Sequence, residues 1–320
     1  AVMGASGLGS RSIIGTFYET LEQSVGQSWT PGVAMEFSSD QESETYKWLG
    51  QSPAVREWVG GRLAKGLREN GLTITNKTFE ATLKVLVDEI RRDKTAQVML
   101  RIKELADRVA AHPAALLSTL INNGGAETNG LAYDGQYFFD TDHVDGASGT
   151  LKNDLAAGDY AVLNVGTPTA PTSDEMANAI MAVIQHFYSL KDDQGEPINE
   201  LARQFLVMTP VNMWGAAQTA VSANILNTGT GSRDNPLLKM GVNLSVAANP
   251  RLTATDKFCV FRTDGRTKPF IHQTEEGVSI SAIAEGSEHE FKNNEHLYGV
   301  KVIRNVGYGI WQHAMRATLS

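Results

Sequence analysis

The stretch from Phe79 to Gly125 reads FEATLKVLVDEIRRDKTAQVMLRIKELADRVAAHPAALLSTLINNGG, and its apolar period changes partway along. At its start Phe79, Ala81, Leu83, Val85 and Val87 alternate with Glu80, Thr82 and Lys84, the two-residue period of a strand with one buried face. Between Asp93 and Ile121 the residues Val98, Ile102, Leu105, Val109, Leu116 and Leu120 fall at helical spacing, which predicts one long helix. At 1.5 Å per residue it would run for about 40 Å. Pro113 should kink it, having no backbone donor and a ring that crowds the preceding turn. Asn122, Asn123, Gly124 and Gly125 should stop it. A strand leading into so long a helix predicts an α+β chain.

Towards the N-terminus, Ala1 to Glu44 is rich in Gly, Ser, Thr and Gln, with one helical stretch on Ile13, Ile14, Phe17, Leu21 and Val25. It reads as an extended arm carrying a short docking helix. Thr45 to Asn76 contains Gly50, Gly60, Gly61, Gly66 and Gly71 together with Trp48 and Trp58. Large aromatics in a segment too glycine-rich to build its own core predict a loop that buries them on something else.

Towards the C-terminus, Gly130 to Asp159 is loop-like. Thr172 with Glu175 forms a capping box before a helix from Met176 to Leu190. Thr209 and Pro210 open a second helix to about Leu226, and Phe205 to Met208 between them reads as a buried strand. The middle of the chain is therefore an α/β unit. Short strands follow at Lys257 to Arg262, Val278 to Ala282, Tyr298 to Ile303 and Tyr308 to Gln312.

A chain of 320 residues can bury a sizeable core and divides naturally into two compact units. Its 42% hydrophobic and 20% charged residues are ordinary for a folded protein, not a disordered one. The single Cys259 cannot close an intrachain disulfide, no Cys/His group has zinc spacing, and a reducing compartment is expected. Neither a classical export signal nor a membrane span is expected. The net charge of -8 argues against a protein built to grip phosphate backbones.

Few residues suggest chemistry. Asp140, Asp142 and His143 could ligate a metal or share acid/base work, but a turn whose Asp side chains cap backbone amides is the favoured reading. Gly229, Gly231, Ser232 and Arg233 lack the ending of a phosphate loop and follow a helix, so a flexible loop is expected. His112 reads as a surface or helix-breaking feature, and Cys259 as a small buried hydrophobe. No catalytic residue, cofactor or metal is assigned. Trp48 and Trp58 carry the strongest functional reading, as anchors of a protein interface, with burial in the subunit's own core as the alternative.

Tyr46, Trp48, Leu49, Gly50, Pro53, Arg56, Glu57, Trp58, Val59, Gly60 and Arg62, with Ile74, Asn76 and Phe79 to Thr82, resemble the Mu-like major head subunit family of tailed phages and prophages. Ala110 to Pro113, Tyr133 to His143 and the tail Tyr308, Trp311, His313, Ala314 and Arg316 resemble it in the same order. The resemblance implies a Hong Kong 97-type capsid fold. Its parts would be an N-terminal arm (1–44), an extended loop (45–76), a peripheral domain with a spine helix (77–125), an axial domain (126–249) and C-terminal strands returning to the peripheral sheet (250–320). It implies a major capsid protein that assembles with itself into pentamers and hexamers of an icosahedral head around double-stranded DNA, without sequence-specific binding. Assembly would occur in the host bacterial cytoplasm, with scaffold, protease, portal and decoration proteins as further partners. Trp48, Leu49, Trp58 and Val59 would anchor the loop on a neighbour, with Arg56, Glu57 and Arg62 in interchain ion pairs. An encapsulin-like or gene-transfer-agent shell, and a soluble α/β hydrolase, are the alternatives.

Overall fold

The strand and the helix of the opening stretch form as Lys77–Leu86 and Gln97–Asn123 in a computed structural model of the chain, which describes residues 9–49, 71–92 and 96–320. A short helix, Val87–Arg92, follows the strand. Lys77–Leu86 is the edge of a four-stranded sheet, beside Glu295–Tyr308, then Phe270–Ile283, then Ala34–Ser38. The long helix lays Val98, Ile102, Ala106 and Val109 against Val85, Tyr298 and Val300 of this sheet.

The helix runs through Pro113. Proline leaves the Val109 carbonyl, four residues back, without its usual donor. Arg304 Nη2 supplies one at 3.2 Å. The helix ends at Asn123, but Gly124 lies at φ -64°, so its glycine is not there for a left-handed cap. A Cβ on Gly124 would stand 2.6 Å from the Phe139 ring; the residue is small because an aromatic side chain crosses it.

The N-terminal helix forms as Ser10–Val25, and its fully buried Ile13 and Phe17 join the cluster of the long helix. The short docking helix expected in this segment thus packs on its own subunit. Burying side chains of this size contributes about 1.5–3 kcal/mol each, enough to hold the helix there.

The second sheet has five strands, in the order Asn243–Ala248, Gln204–Thr209, Lys257–Arg262, Ala314–Thr318 and Asp154–Leu155. Helices Ser173–Ser189 and Val211–Ser222 pack on it, burying Ile180, Ile184, Phe187 and Met213 with Phe205, Phe258 and Phe261. The capping box is made as expected, with Thr172 Oγ1 accepting from Glu175 N at 3.2 Å. The following helix is shorter than expected, because Asn235 Nδ2 donates to the carbonyls of Ala220 and Ala223 and closes its C-terminal end. Leu226 lies instead in Ile225–Asn227, which pairs with Ser232–Asp234 around Gly229 at φ +82°. The glycine-rich segment expected to be a loop is therefore a hairpin, with Arg233 held by Asp174 and Asn178.

The C-terminal strands differ most from expectation, since they divide between the two sheets. Phe270–Ile283 and Glu295–Tyr308 are in the four-stranded sheet, and Lys257–Arg262 and Ala314–Thr318 in the five-stranded one. No strand spans Tyr308 to Gln312. The backbone turns at Gly309, where a Cβ would stand 2.7 Å from the Lys268 carbonyl, and passes through a short 3-10 helix, Trp311–His313. Phe138 stacks on Tyr308 with ring centroids 4.6 Å apart and meets Phe270 at 5.1 Å, so this crossing lies in a shared aromatic core.

Candidate subunit-contact site

The extended segment leaves the body as a two-stranded ribbon. Ser43–Tyr46 pairs antiparallel with Leu72–Thr75. The ribbon's root is fixed by a buried network centred on Gln273. Tyr46 donates its hydroxyl proton to Gln273 Oε1 at 2.7 Å, while Gln273 Nε2 donates to Asn76 Oδ1 at 2.8 Å and the Ile74 carbonyl at 3.2 Å. Burial, with Glu44 nearby, pushes the Tyr46 hydroxyl up to about 12, so it remains a donor. Ile74 packs over Gly307, where a Cβ would stand 2.4 Å from Ile74 Cδ1; only glycine admits the ribbon so close.

Of the expected contact residues, Leu49 is fully buried in its own subunit, in a cluster with Met35, Tyr46, Ile74, Ile271 and Ile310. Half-buried Trp48 packs on that cluster, its ring 6.0 Å from Phe37. Leu49 thus has a core within its own subunit, while Trp48 keeps part of its surface exposed. The root of the ribbon lies close enough to the sheet to give them a local core. Arg56, Glu57, Trp58, Val59 and Arg62 lie outside the described residues.

The acid/base candidates separate. Asp140 accepts from the amides of Tyr137 at 3.1 Å and Thr141 at 2.7 Å, the amide-capping turn that was favoured. Exposed Asp142 has its carboxyl raised by its hydrogen bond and charge repulsion with Asp140. His143 is fully buried and its ring nitrogens have other partners, Nδ1 2.7 Å from Asp134 Oδ2 and Nε2 3.1 Å from Asn153 Oδ1. Its ring stacks on Trp311 at 3.8 Å. Asn153, absent from the sequence reading, is the hub. Its Nδ2 donates to the carbonyls of Phe138, Ala314 and Trp311, and its Oδ1 also accepts from Asp140 N at 2.9 Å. Among the described residues no group of three His, Cys, Asp or Glu could hold a metal ion.

His112 is half-buried, at the cleft between the long helix and the sheet. Its Nδ1 accepts from Arg304 Nε at 3.1 Å, and burial, then Arg304, hold it down to about 4. Cys259 is buried between Phe258 and Val260 as expected, its thiol pushed up to about 12 by burial. Among the described residues no helix is long and apolar enough to cross a membrane.

A spine helix across one sheet, a ribbon rooted at its side and a second α/β layer define a Hong Kong 97-type capsid fold. A solved procapsid of bacteriophage JBD30 shares it with a TM-score of 0.54 over 97% of this chain and 75% of that chain, at 24% identity. A virus-like particle from Pyrococcus furiosus shares it with a TM-score of 0.55 over 96% and 98%, at 6% identity. The chain belongs to the Mu-like prophage major head subunit gpT family, whose model matches residues 11–163 and 232–319. It is 34% identical over 125 residues to the major capsid protein of Escherichia phage Mu, a match covering 38% of this chain and 40% of that protein. The aligned part is thus well under half of the Mu protein's length.

Proposed function

We propose that the chain is the major capsid protein of a Mu-like tailed phage or prophage, assembling with copies of itself into pentamers and hexamers of an icosahedral head that encloses double-stranded DNA. The observation that carries this is the family match on both sides of the chain's middle, joined to a capsid fold over nearly its whole length. The match also favours a phage head over an encapsulin-like compartment. The role is structural, and no catalytic step is assigned. The four-stranded sheet with the long helix would be the peripheral domain, the five-stranded sheet the axial domain, and residues 45–76 the extended loop. The virion is the site of action and the host cytoplasm the place of assembly, with scaffold, protease, portal and decoration proteins as further partners.

Electron microscopy of the expressed chain, alone and with its scaffold, is expected to show closed shells or capsomer-sized rings. A monomer at every concentration would sink the proposal. Within the loop, Trp58→Ala is expected to leave the unassembled subunit folded by circular dichroism and to weaken assembly, because truncating a buried interface tryptophan often costs about 2 kcal/mol or more. Normal assembly with unchanged stability would remove Trp58 from the interface.

A further inference from the structure

Between the long helix and the four-stranded sheet lies a cleft of about 480 Å³. Phe79, Ala81 and Leu83 of the edge strand and Val109 of the helix make its apolar floor, and its charged lining is three arginines, Arg101, Arg108 and Arg304, against two carboxylates, Glu80 and Glu104. Arg304 is only 6% exposed, yet its bonds go to the neutral partners His112 Nδ1 and the Val109 carbonyl. Among the described residues no carboxylate comes within ion-pair distance of it. A buried guanidinium without counter-charge is unfavourable, and a carboxylate brought into the cleft would relieve that.

At the tip of the same sheet, the short helix Glu288–Asn293 carries Phe291, 91% exposed. Glu285, Glu288 and Glu290 surround it against a single Lys292. An exposed aromatic ring therefore stands without a partner on a helix whose flanking carboxylates are held locally, Glu285 by Ser10, Glu288 by Lys292 and Glu290 by His296, on a chain that also presents a cleft with an apolar floor and an excess of one arginine over its carboxylates. Phe291 is not seated in its own cleft, being almost fully exposed. Glu295 pairs with Leu86, Tyr298 with Leu83 and Val302 with Phe79, so at about 3.3 Å per residue the cleft floor runs from roughly 10 to roughly 23 Å from Glu295 along the strand.

We infer that Phe291 of one copy inserts into the cleft of a second copy, with the acidic flank of its helix against that copy's Arg108 and Arg304. Plug and socket are different surfaces, so the contact is head-to-tail and passes from copy to copy, closing only where the rotation between copies permits. The inference rests on the assembly proposed above and names one of its contacts.

The test replaces Phe291 in the full chain with the photo-cross-linker p-benzoylphenylalanine, in a mixture of isotopically heavy and light subunits. Mass spectrometry of irradiated assemblies is expected to find heavy-to-light cross-links to residues 79–83 or 101–112. Phe291→Ala is expected to keep the melting temperature of the unassembled subunit, because the ring is exposed there, and to raise the concentration needed for assembly by about tenfold. Shells that form normally but cross-link elsewhere, or that form at the usual concentration with Phe291→Ala, overturn the plug and leave the capsid reading standing. A chain that never assembles, and gives no intermolecular cross-link, overturns both.

Discussion

Replacing Asn153 with leucine keeps the branching of the side chain, adds some bulk and removes every hydrogen bond it makes. Asn153 is fully buried, and its amide faces three carbonyls on one side and the Asp140 amide and His143 Nε2 on the other. The weakest contact, to the Trp311 carbonyl at 3.4 Å, contributes little. The other four partners would be left unpaired in a place water cannot reach. Each buried orphan costs about 1–3 kcal/mol, and the costs overlap because the groups share one hub, so a loss of about 4 kcal/mol is expected. At roughly 2 °C per kcal/mol for a chain of this size, the unassembled subunit should melt about 8 °C lower. Urea titration and thermal melting of unassembled subunits would measure this. A change within about 1 kcal/mol would refute the assignment of Asn153 as the hub.

Gly307→Ala is expected to cost about 1–3 kcal/mol by driving a methyl group into Ile74, and Ile74→Ala should recover part of that loss; strict additivity in urea titrations would disprove the contact. His112 is held down to about 4 and His313 to about 3, both chiefly by burial. Their folded values lie below the unfolded value near 6.5, so the unfolded chain takes up protons first. The stability these groups contribute is whole above about pH 6.5 and is lost as pH falls towards their folded values. A variant carrying His112→Gln and His313→Gln should lose less stability between pH 6.5 and 4 than the unaltered chain, measured as urea midpoints; equal slopes would discount both histidines.

What was legible in the sequence was what local period and local caps encode. The alternation at Phe79 to Val87, the apolar stripe of the long helix, the capping box at Thr172 and the strand Lys257–Arg262 all rest on neighbours within a few residues. Period says nothing about which sheet a strand joins, and the C-terminal strands were grouped together although they alternate between two sheets. The small size of Gly124 comes from Phe139, fifteen positions on, and the end of Val211–Ser222 comes from Asn235. At the candidate sites the same limit applied. Adjacency grouped His143 with Asp140 and Asp142, whereas its partners Asp134 and Asn153 are nine and ten positions away. The glycines around Trp48 and Leu49 hide from the sequence the core that Ile271 and Ile310 supply to them.

The alternation of the last strands between the sheets has a mechanical consequence. A fragment cut at residues 126–249 would keep Asp154–Leu155, Gln204–Thr209 and Asn243–Ala248 and lack the middle strand of its own sheet, Lys257–Arg262, along with Ala314–Thr318. The remainder would hold those two strands with nothing to pair them to the rest of that sheet. The two layers are thus sewn together by three crossings of one thread among the described residues rather than hinged at a linker. A pull on the spine helix would reach the far layer through Tyr308, Trp311 and the covalent chain between them, and stretching one layer alone would require breaking both.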